Sequence, residues 1–314
     1  FIVIYITMKI LCVCLSATIQ RTIRFDSFSV ERVNRSQNWR EDASGKALNA
    51  ARVLNQLEPG SSVALCPVGN TNAERFMHLA SNDSDLYVTP VYIEGNTREC
   101  WTLVDTKRGT TTEVIADEAH DFTHIAGAEA ELKLIEFVRK YMSDFDALLF
   151  AGSRPLNWSA NMCARICEVT QKAGKLMLVD FRGDDLLGTL KVCTPHIIKI
   201  NEAEFCQTFG GLLLSEEELA SAIAKKSAEL HNIIVVTRGE KDTLAANDGT
   251  PFRCPTEKIT PVNTTACGDS FSAGFLHEYL LSHNVEQALK SGTHCAALNA
   301  RTIIPGSITQ AQAE

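Results

Sequence analysis

Neither common glycine-rich nucleotide loop occurs in this chain: there is no Gly-x4-Gly-Lys-[Ser/Thr] segment and no Gly-x-Gly-x-x-Gly turn. Their absence excludes a Walker-type NTPase and a dinucleotide fold at motif level. Basic charge is scarce, with 30 Lys+Arg against 38 Asp+Glu and a formal charge of −8. A general nucleic-acid binder needs a basic surface to displace counterions, so that class is excluded as well. No run of five like charges marks an interaction tail. Proline and glycine, at 9 and 18 residues, show none of the excess of a fibrous or disordered chain. With 314 residues the chain has room for two domains at roughly 150 residues each, or for one large α/β unit.

Cysteine is the exception to this scarcity, at 11 residues. An odd number scattered over a long chain makes a poor disulfide framework, and Cys12-x-Cys14 and Cys163-x3-Cys167 lack the paired short spacings of a zinc site. Reduced cysteines serving as small core residues, in a cytoplasmic protein, are the expectation. Phe1 to Leu15 is almost wholly apolar, yet no basic residue precedes it, Lys9 interrupts it, and it is too short to span a membrane. Met8 reads as a start, and Lys9–Leu15 as a buried first strand. Glu118, His120, Asp121 and His124 are rich in potential ligands, and are read as a solvated connection.

Short apolar runs alternate with amphipathic stretches over most of the length. Ala147–Ala151, Leu176–Asp180, His196–Ile200 and Ile233–Thr237 are predicted strands. Helices are predicted over Glu131–Met142, over Asn157–Ala173 with Gly174 at its C′ position, and from a Ser215/Glu218 capping box through Leu230. This alternation predicts an α/β fold, a mainly parallel sheet flanked by helices in three layers. Arg21–Asn38 and Tyr87–Val114 break the rhythm and read as half-exposed strands of a small β lid, within about 20–42 and 87–115. One domain over 1–314 with that lid is simpler than two independent domains.

The segment Val262-Asn-Thr-Thr-Ala-Cys-Gly-Asp-Ser-Phe-Ser-Ala-Gly-Phe275 carries the most chemistry. A loop of small polar residues runs into an amphipathic helix, so Ala266, Cys267 and Gly268 would present backbone N–H groups where the helix dipole favours negative charge. Asp269 falls in the first turn. The residues alone leave two roles open for it: satisfying the helix terminus, or taking a proton from a hydroxyl that attacks a bound phosphoryl group.

Thr265-Ala-Cys-Gly-Asp-Ser-Phe-Ser-Ala-Gly274 resembles the carboxyl-terminal signature of the ribokinase-like, PfkB sugar kinases, Gly/Ala-Ala-Gly-Asp-x-Phe-x-x-Gly. Other segments agree in order across nearly the whole chain. Ser44-Gly-Lys-Ala-Leu-Asn-Ala-Ala-Arg-Val-Leu54 looks like the family's Gly-Gly-Lys-Gly-x-Asn-x-Ala motif. Gly95-Asn-Thr-Arg98 and Gly152-Ser-Arg-Pro155 are similar to its lid and Gly-Ser-x-Pro segments. Lys199-Ile-Asn-Glu-Ala-Glu204 resembles Asn-x-x-Glu, and Thr237-Arg-Gly-Glu-Lys-Asp242 falls at its nucleotide turn. Val33-Asn34-Arg35 and Asn49-Ala-Ala-Arg-Val-Leu54 are particularly like the 1-phosphofructokinase and tagatose-6-phosphate kinase branch.

The resemblance implies a ribokinase-like fold and ATP-dependent phosphoryl transfer, with Mg²⁺, to a hydroxyl of a sugar phosphate. Asp269 would be the catalytic base, and the amides of Ala266, Cys267 and Gly268 the anion hole. Gln20, Gly45, Lys46, Asn49, Arg98 and Ser153 would bind the sugar phosphate. Asn201, Thr237, Gly239 and Asn299 would bind the nucleotide, and Glu204 would organise Mg²⁺ indirectly. Lys46 and Arg98 support a phosphorylated acceptor, since cations hold phosphate through charge-assisted hydrogen bonds. Three departures fall in the sugar half: Gln20 stands where the branch has Asp, and Ser44 and Ala47 replace glycines. Arg182 replaces a usual Ser. An unphosphorylated sugar or nucleoside as acceptor, or a catalytically weak sugar-phosphate sensor, are the alternatives. Lid strands with exposed edges would pair two subunits as a homodimer; neither nucleic acid nor membrane is an expected partner.

Overall fold

Apolar runs too short for a helix become strands sealed on both faces. The computed structural model describes residues 8–115, 124–156, 158–210 and 215–309. Its strands are β1 (Ile10–Val13), β2 (Thr18–Phe25), β3 (Trp39–Ser44), β4 (Ser62–Gly69), β5 (Val88–Ile93), β6 (Arg98–Asp105), β7 (Thr110–Ile115), β8 (Ala147–Ala151), β9 (Leu176–Asp180), β10 (Ile197–Asn201), β11 (Ile233–Arg238), β12 (Lys241–Asn247) and β13 (Thr250–Cys254). The helices are α1 (Lys46–Leu57), α2 (Ala73–Ser81), α3 (His124–Tyr141), α4 (Met162–Lys172), α5 (Gly183–Leu190), α6 (Glu202–Phe209), α7 (Glu216–Leu230), α8 (Cys267–Ser282) and α9 (Val285–Ala300).

A nine-stranded sheet in the order β13-β12-β11-β10-β9-β8-β1-β4-β5 is parallel from β11 to β5, with β12 and β13 antiparallel at one edge. Alternate residues of β1 feed two cores: Ile10 and Cys12 join Leu48, Leu54, Phe271 and Phe275 on one face. Leu11 and Val13 join Leu134, Val138, Phe150 and Ile166 on the other. Sealing one such aliphatic side chain contributes roughly 1.5–3 kcal/mol. The three-layer α/β architecture is therefore as predicted. Nine of the eleven cysteines are buried, Cys206 and Cys267 are half-buried, and all are free thiols.

The capping box of α7 forms as expected, with Ser215 accepting from the Glu218 N–H and Glu218 accepting from that of Ser215. Strands β8 and β9 have the predicted bounds. The helix expected over Asn157–Ala173 starts only at Met162, because Trp158 is buried and its N–H closes a turn on the Pro155 carbonyl; Asn157 itself lies outside the described residues. Glu118, His120 and Asp121 also lie outside them, and His124 opens α3.

A second sheet, ordered β3-β2-β6-β7, takes up most of the predicted lid. Within the stretch expected as lid strands over Arg21–Asn38, only β2 is strand and it ends at Phe25; Asn34 braces the following loop through two hydrogen bonds with the Ser29 backbone. The expected lid span 87–115 divides: β5 pairs in parallel with β4 and is an edge of the large sheet. Pro90 is tolerated there because an edge strand has one side without ladder bonds. Arg75 of α2 pins the small sheet, its Nη1 meeting Glu99 of β6 at 2.7 Å and its Nε meeting Glu41 of β3 at 3.2 Å. Asn72 fixes the residue before Arg98, donating to the Thr97 carbonyl and accepting from its N–H, both at 2.8 Å.

Candidate active site

In a parallel sheet, loops converge where strands end at their carboxyl edge. Here Gly152 follows β8, Asp180 ends β9, Asn201 ends β10 and Thr237 lies beside Asn201 in β11. The start of α8 joins this edge from the far end of the chain. Ala266, its N-cap, is held in the left-handed region at φ 66°, which turns the loop into the helix. Of the three predicted anion-hole amides, the Cys267 N–H already reaches the Thr264 carbonyl at 3.3 Å.

Asp269, 7% exposed, lies in the first turn of α8. Burial, opposed chiefly by the Lys46 ammonium, raises its carboxyl from 3.8 to about 6. Its Oδ2 accepts from Asn49 Nδ2 at 2.9 Å. A carboxyl so placed is chemically able to accept a proton near neutrality.

Beside it lies a charge cluster in which sequence reasoning picked out Lys46 and Glu204 but missed Asp180 and Lys199. Lys199, 4% exposed, points from β10 to place Nζ 2.7 Å from Asp180 Oδ2. Lys46 Nζ lies 3.1 Å from the other Asp180 oxygen and 4.0 Å from Glu204 Oε1. Burial alone would raise the Asp180 carboxyl, yet the two ammoniums outweigh it and hold it at about 2. Asp180 in turn raises the Lys46 ammonium above its ordinary range. The available signal was a lysine inside the apolar run Ile197–Asn201 and an aspartate ending another strand. A Cβ at Gly268 would sit 2.9 Å from Lys199 Nζ, so a side chain there would displace the ammonium.

The structure gathers Gly45, Lys46 and Asn49 at the start of α1 against Asp269 and Asp180. Gly152, next to Ser153, belongs to the same neighbourhood: its ideal Cβ would be 3.9 Å from Lys46 Cβ. Arg98 opens β6, its Nη2 reaching the Ser16 carbonyl at 3.4 Å. Gln20 is buried in the small sheet, with Nε2 donating to Thr102 Oγ1. Asn201 and Glu204 form the capping box of α6, and Glu204 Oε1 also lies 3.4 Å from Arg182. Thr237 and Gly239 flank Arg238, whose guanidinium joins Glu202 and Glu216. Asn299 turns inward. Its Nδ2 donates to the Thr265 carbonyl at 2.8 Å, and its Oδ1 accepts from the N–H groups of Gly306 and Ser307 at 2.7 and 3.2 Å. It thus holds the loop before α8 from behind. Among the described residues no group of three or more His, Cys, Asp or Glu is placed to hold a metal ion on its own.

A buried carboxylate in the first turn of a helix, beside paired ammoniums at the carboxyl edge of a parallel sheet, is an arrangement suited to phosphoryl transfer. Comparison with known proteins narrows the class. The chain belongs to the pfkB family of carbohydrate kinases, whose model matches residues 9–309, and is a sugar kinase. Its fold is similar to that of phosphofructokinase-2 from Escherichia coli in complex with fructose-6-phosphate, at TM-score 0.83 and 18% identity, over 93% of this chain and 94% of that one. A possible 1-phosphofructokinase from Thermotoga maritima gives 0.82 and 20%, over 96% and 94%. Ribokinase from the same organism gives 0.69 and 20%, over 97% of both chains.

Proposed function

We propose that this kinase transfers the terminal phosphoryl group of ATP to a hydroxyl of a ketohexose monophosphate, of the fructose 1-phosphate, fructose 6-phosphate or tagatose 6-phosphate type. The observation that carries the reading is the buried Asp269, raised to about 6, facing the Lys46 and Lys199 ammoniums across the start of α8. In this reading Asp269 accepts the proton of the attacking hydroxyl. The Ala266–Gly268 helix start offsets charge on the transferring group. Arg98 holds the phosphate ester of the acceptor, with Ser153 beside it. Lys46 bridges the acceptor and transfer ends, next to Gly45 and Asn49. Gln20 offers the acceptor a neutral amide oxygen where a carboxylate would be usual.

The nucleotide lies along Asn201, Thr237 and Gly239, with Asn299 bracing the loop. Mg²⁺ keeps several waters and takes few protein carboxylates. Glu204, held by the Asn201 N–H at 3.0 Å with its other oxygen turned to the cluster, fits that demand. The ion, when bound, neutralises phosphate charge. The small sheet serves as a lid whose closure excludes water. Its outer strands β3 and β7 carry exposed Trp39, Val114 and Ile115, which supports pairing of two copies into a homodimer. The free cysteines suit the cytoplasm. Among the described residues no helix is long and apolar enough to cross a membrane.

Coupled ADP-release assays on the three sugar phosphates, fructose and ribose test the assignment. Turnover is expected on a phosphorylated acceptor. Arg98→Ala should raise KM for that acceptor about 10- to 100-fold while KM for ATP stays within about twofold. Highest turnover on fructose or ribose, indifferent to Arg98→Ala, overturns the substrate class. Binding of a sugar phosphate without ADP release would instead indicate a sensor. Gly268→Ala, which drives a methyl toward Lys199 Nζ, should lower kcat by about 10- to 100-fold through misplacement of the ammonium. Its thermal midpoint should fall by only a few degrees, and an unchanged kcat would remove Lys199 from the transfer end.

A further inference from the structure

Ser44 occupies a glycine position of the sugar-kinase motif, and its hydroxyl has a defined target. Ser44 Oγ donates to Asn49 Oδ1 at 2.8 Å, and Arg52 Nη1 donates to the same oxygen at 3.2 Å. The other end of the amide, Nδ2, donates to Asp269 Oδ2. Gly306 closes the remaining side so tightly that a Cβ there would lie 2.7 Å from both Asn49 Cα and Cβ. Residues from β3, α1, α8 and the segment after α9 thus converge on one side-chain amide.

The two ends of an amide are alike in shape and opposite in hydrogen-bonding sense. Reversing Asn49 would set its NH₂ against the Arg52 guanidinium, donor against donor, and its oxygen against the Asp269 carboxylate, acceptor against acceptor. Arg52 cannot adapt, because it has no acceptor and is itself fixed. Its Nη2 donates to the Ala43 carbonyl and its Nη1 to the Pro305 carbonyl, both at 2.8 Å, and its Nε pairs with Asp83. Ser44 adds a second donor on the same oxygen and restrains the swing of the amide about its last torsion.

We propose that Ser44, acting with Arg52 through the Asn49 amide, is a positioning residue for the base: it keeps Nδ2 on Asp269 Oδ2 and leaves the other carboxylate oxygen to take the hydroxyl proton. The inference rests on the reading of Asp269 as that base. It also accounts for a serine at this glycine position as a gain in orientation.

The amide hydrogen bond favours the charged carboxylate, so loosening it raises the Asp269 pKa further and moves the acid limb of the rate profile to higher pH. Ser44→Ala and Ser44→Gly should each lower kcat about tenfold while KM for acceptor and ATP stays within about twofold. The acid limb of kcat should rise in both. In the protein without substrates, the ¹³C carboxyl signal of Asp269 should titrate at higher pH than in the wild type. In an Asn49→Ala background, Ser44→Ala should change kcat by less than about twofold, because the connecting amide is gone. An unmoved Asp269 titration in Ser44→Ala, or an equal effect in the Asn49→Ala background, overturns the proposal. The titration needs no turnover: an active Asp269→Asn enzyme would sink the base reading alone, while the carboxyl signal still reports the Ser44 link.

Discussion

Asp269→Asn is expected to lower kcat by about 10²- to 10⁴-fold, the usual contribution of a positioned general base, and to make the protein more stable at neutral pH. Asparagine keeps the size of the side chain and an oxygen that can accept from Asn49, so the local geometry survives while proton acceptance is lost. The stability gain follows from the sign of the shift. The carboxyl is raised from 3.8 to about 6 in the folded protein. Its contribution to stability is therefore full below the unfolded value and is lost as pH rises through about 6. Above that pH the fold carries a buried carboxylate at a cost of ~2–3 kcal/mol, which a neutral amide avoids. Melting curves should place the variant a few degrees above wild type at pH 8 and level with it at pH 4, within the few-degree scale such energies produce. The wild-type kcat profile should show an acid limb near 6. A variant retaining more than about a tenth of wild-type kcat would remove Asp269 from the proton-transfer step.

The second large effect is on stability and turnover together. Asp180→Asn leaves the Lys199 ammonium buried at 4% exposure without the carboxylate 2.7 Å away. Stripping one member from a buried pair costs about 3–5 kcal/mol. Lys199→Met is expected to be milder, since Asp180 keeps Lys46 at 3.1 Å and the Ser272 hydroxyl at 3.4 Å. Because the Asp180 carboxyl is held at about 2, below its ordinary 3.8, its contribution is present above the unfolded value. It disappears as pH falls through about 2. Denaturant titration at pH 7 separates the two variants: equal stability of Asp180→Asn and Lys199→Met would show that the pairing matters less than its geometry implies. Turnover should fall in both, because each disturbs the ammoniums at the transfer end.

The layout of the large sheet was legible because β8, β9 and β11 are apolar on both faces and separated by amphipathic helices. Asp269 stood out as a candidate because a loop of small residues, an acid and a helix start lie within one short segment, although the residues alone left its role open. Other parts depend on contacts that no local pattern contains. Asp180 and Lys199 are 19 residues apart and meet because their strands β9 and β10 are neighbours in the sheet. Val88–Ile93 mixes polar and apolar residues like a lid strand, yet pairs with β4, since an edge strand of a large sheet is also half-exposed. Asn299 lies within an ordinary amphipathic helix, and only the return of residues 305–307 gives its amide a partner on each side. Ser44 looks like a mere departure from a motif until Asn49 is seen beneath it.

The brace formed by Asn299 has a consequence for biosynthesis. The loop before α8 is tied to the end of α9 by the N–H groups of Val262 and Asn263 on the Ala300 carbonyl, and by the Asn263 amide on Ile303. Asn299 and Ser307 complete that tie, while the opposite wall of the site, from Gly45 to Asn49, precedes Asp269 by 220 residues counted from Asn49. The pocket is thus assembled from segments far apart in the chain. A nascent chain that has extruded every strand of the large sheet still lacks the residues that brace the start of α8, so that loop is expected to order only once residue 307 has emerged.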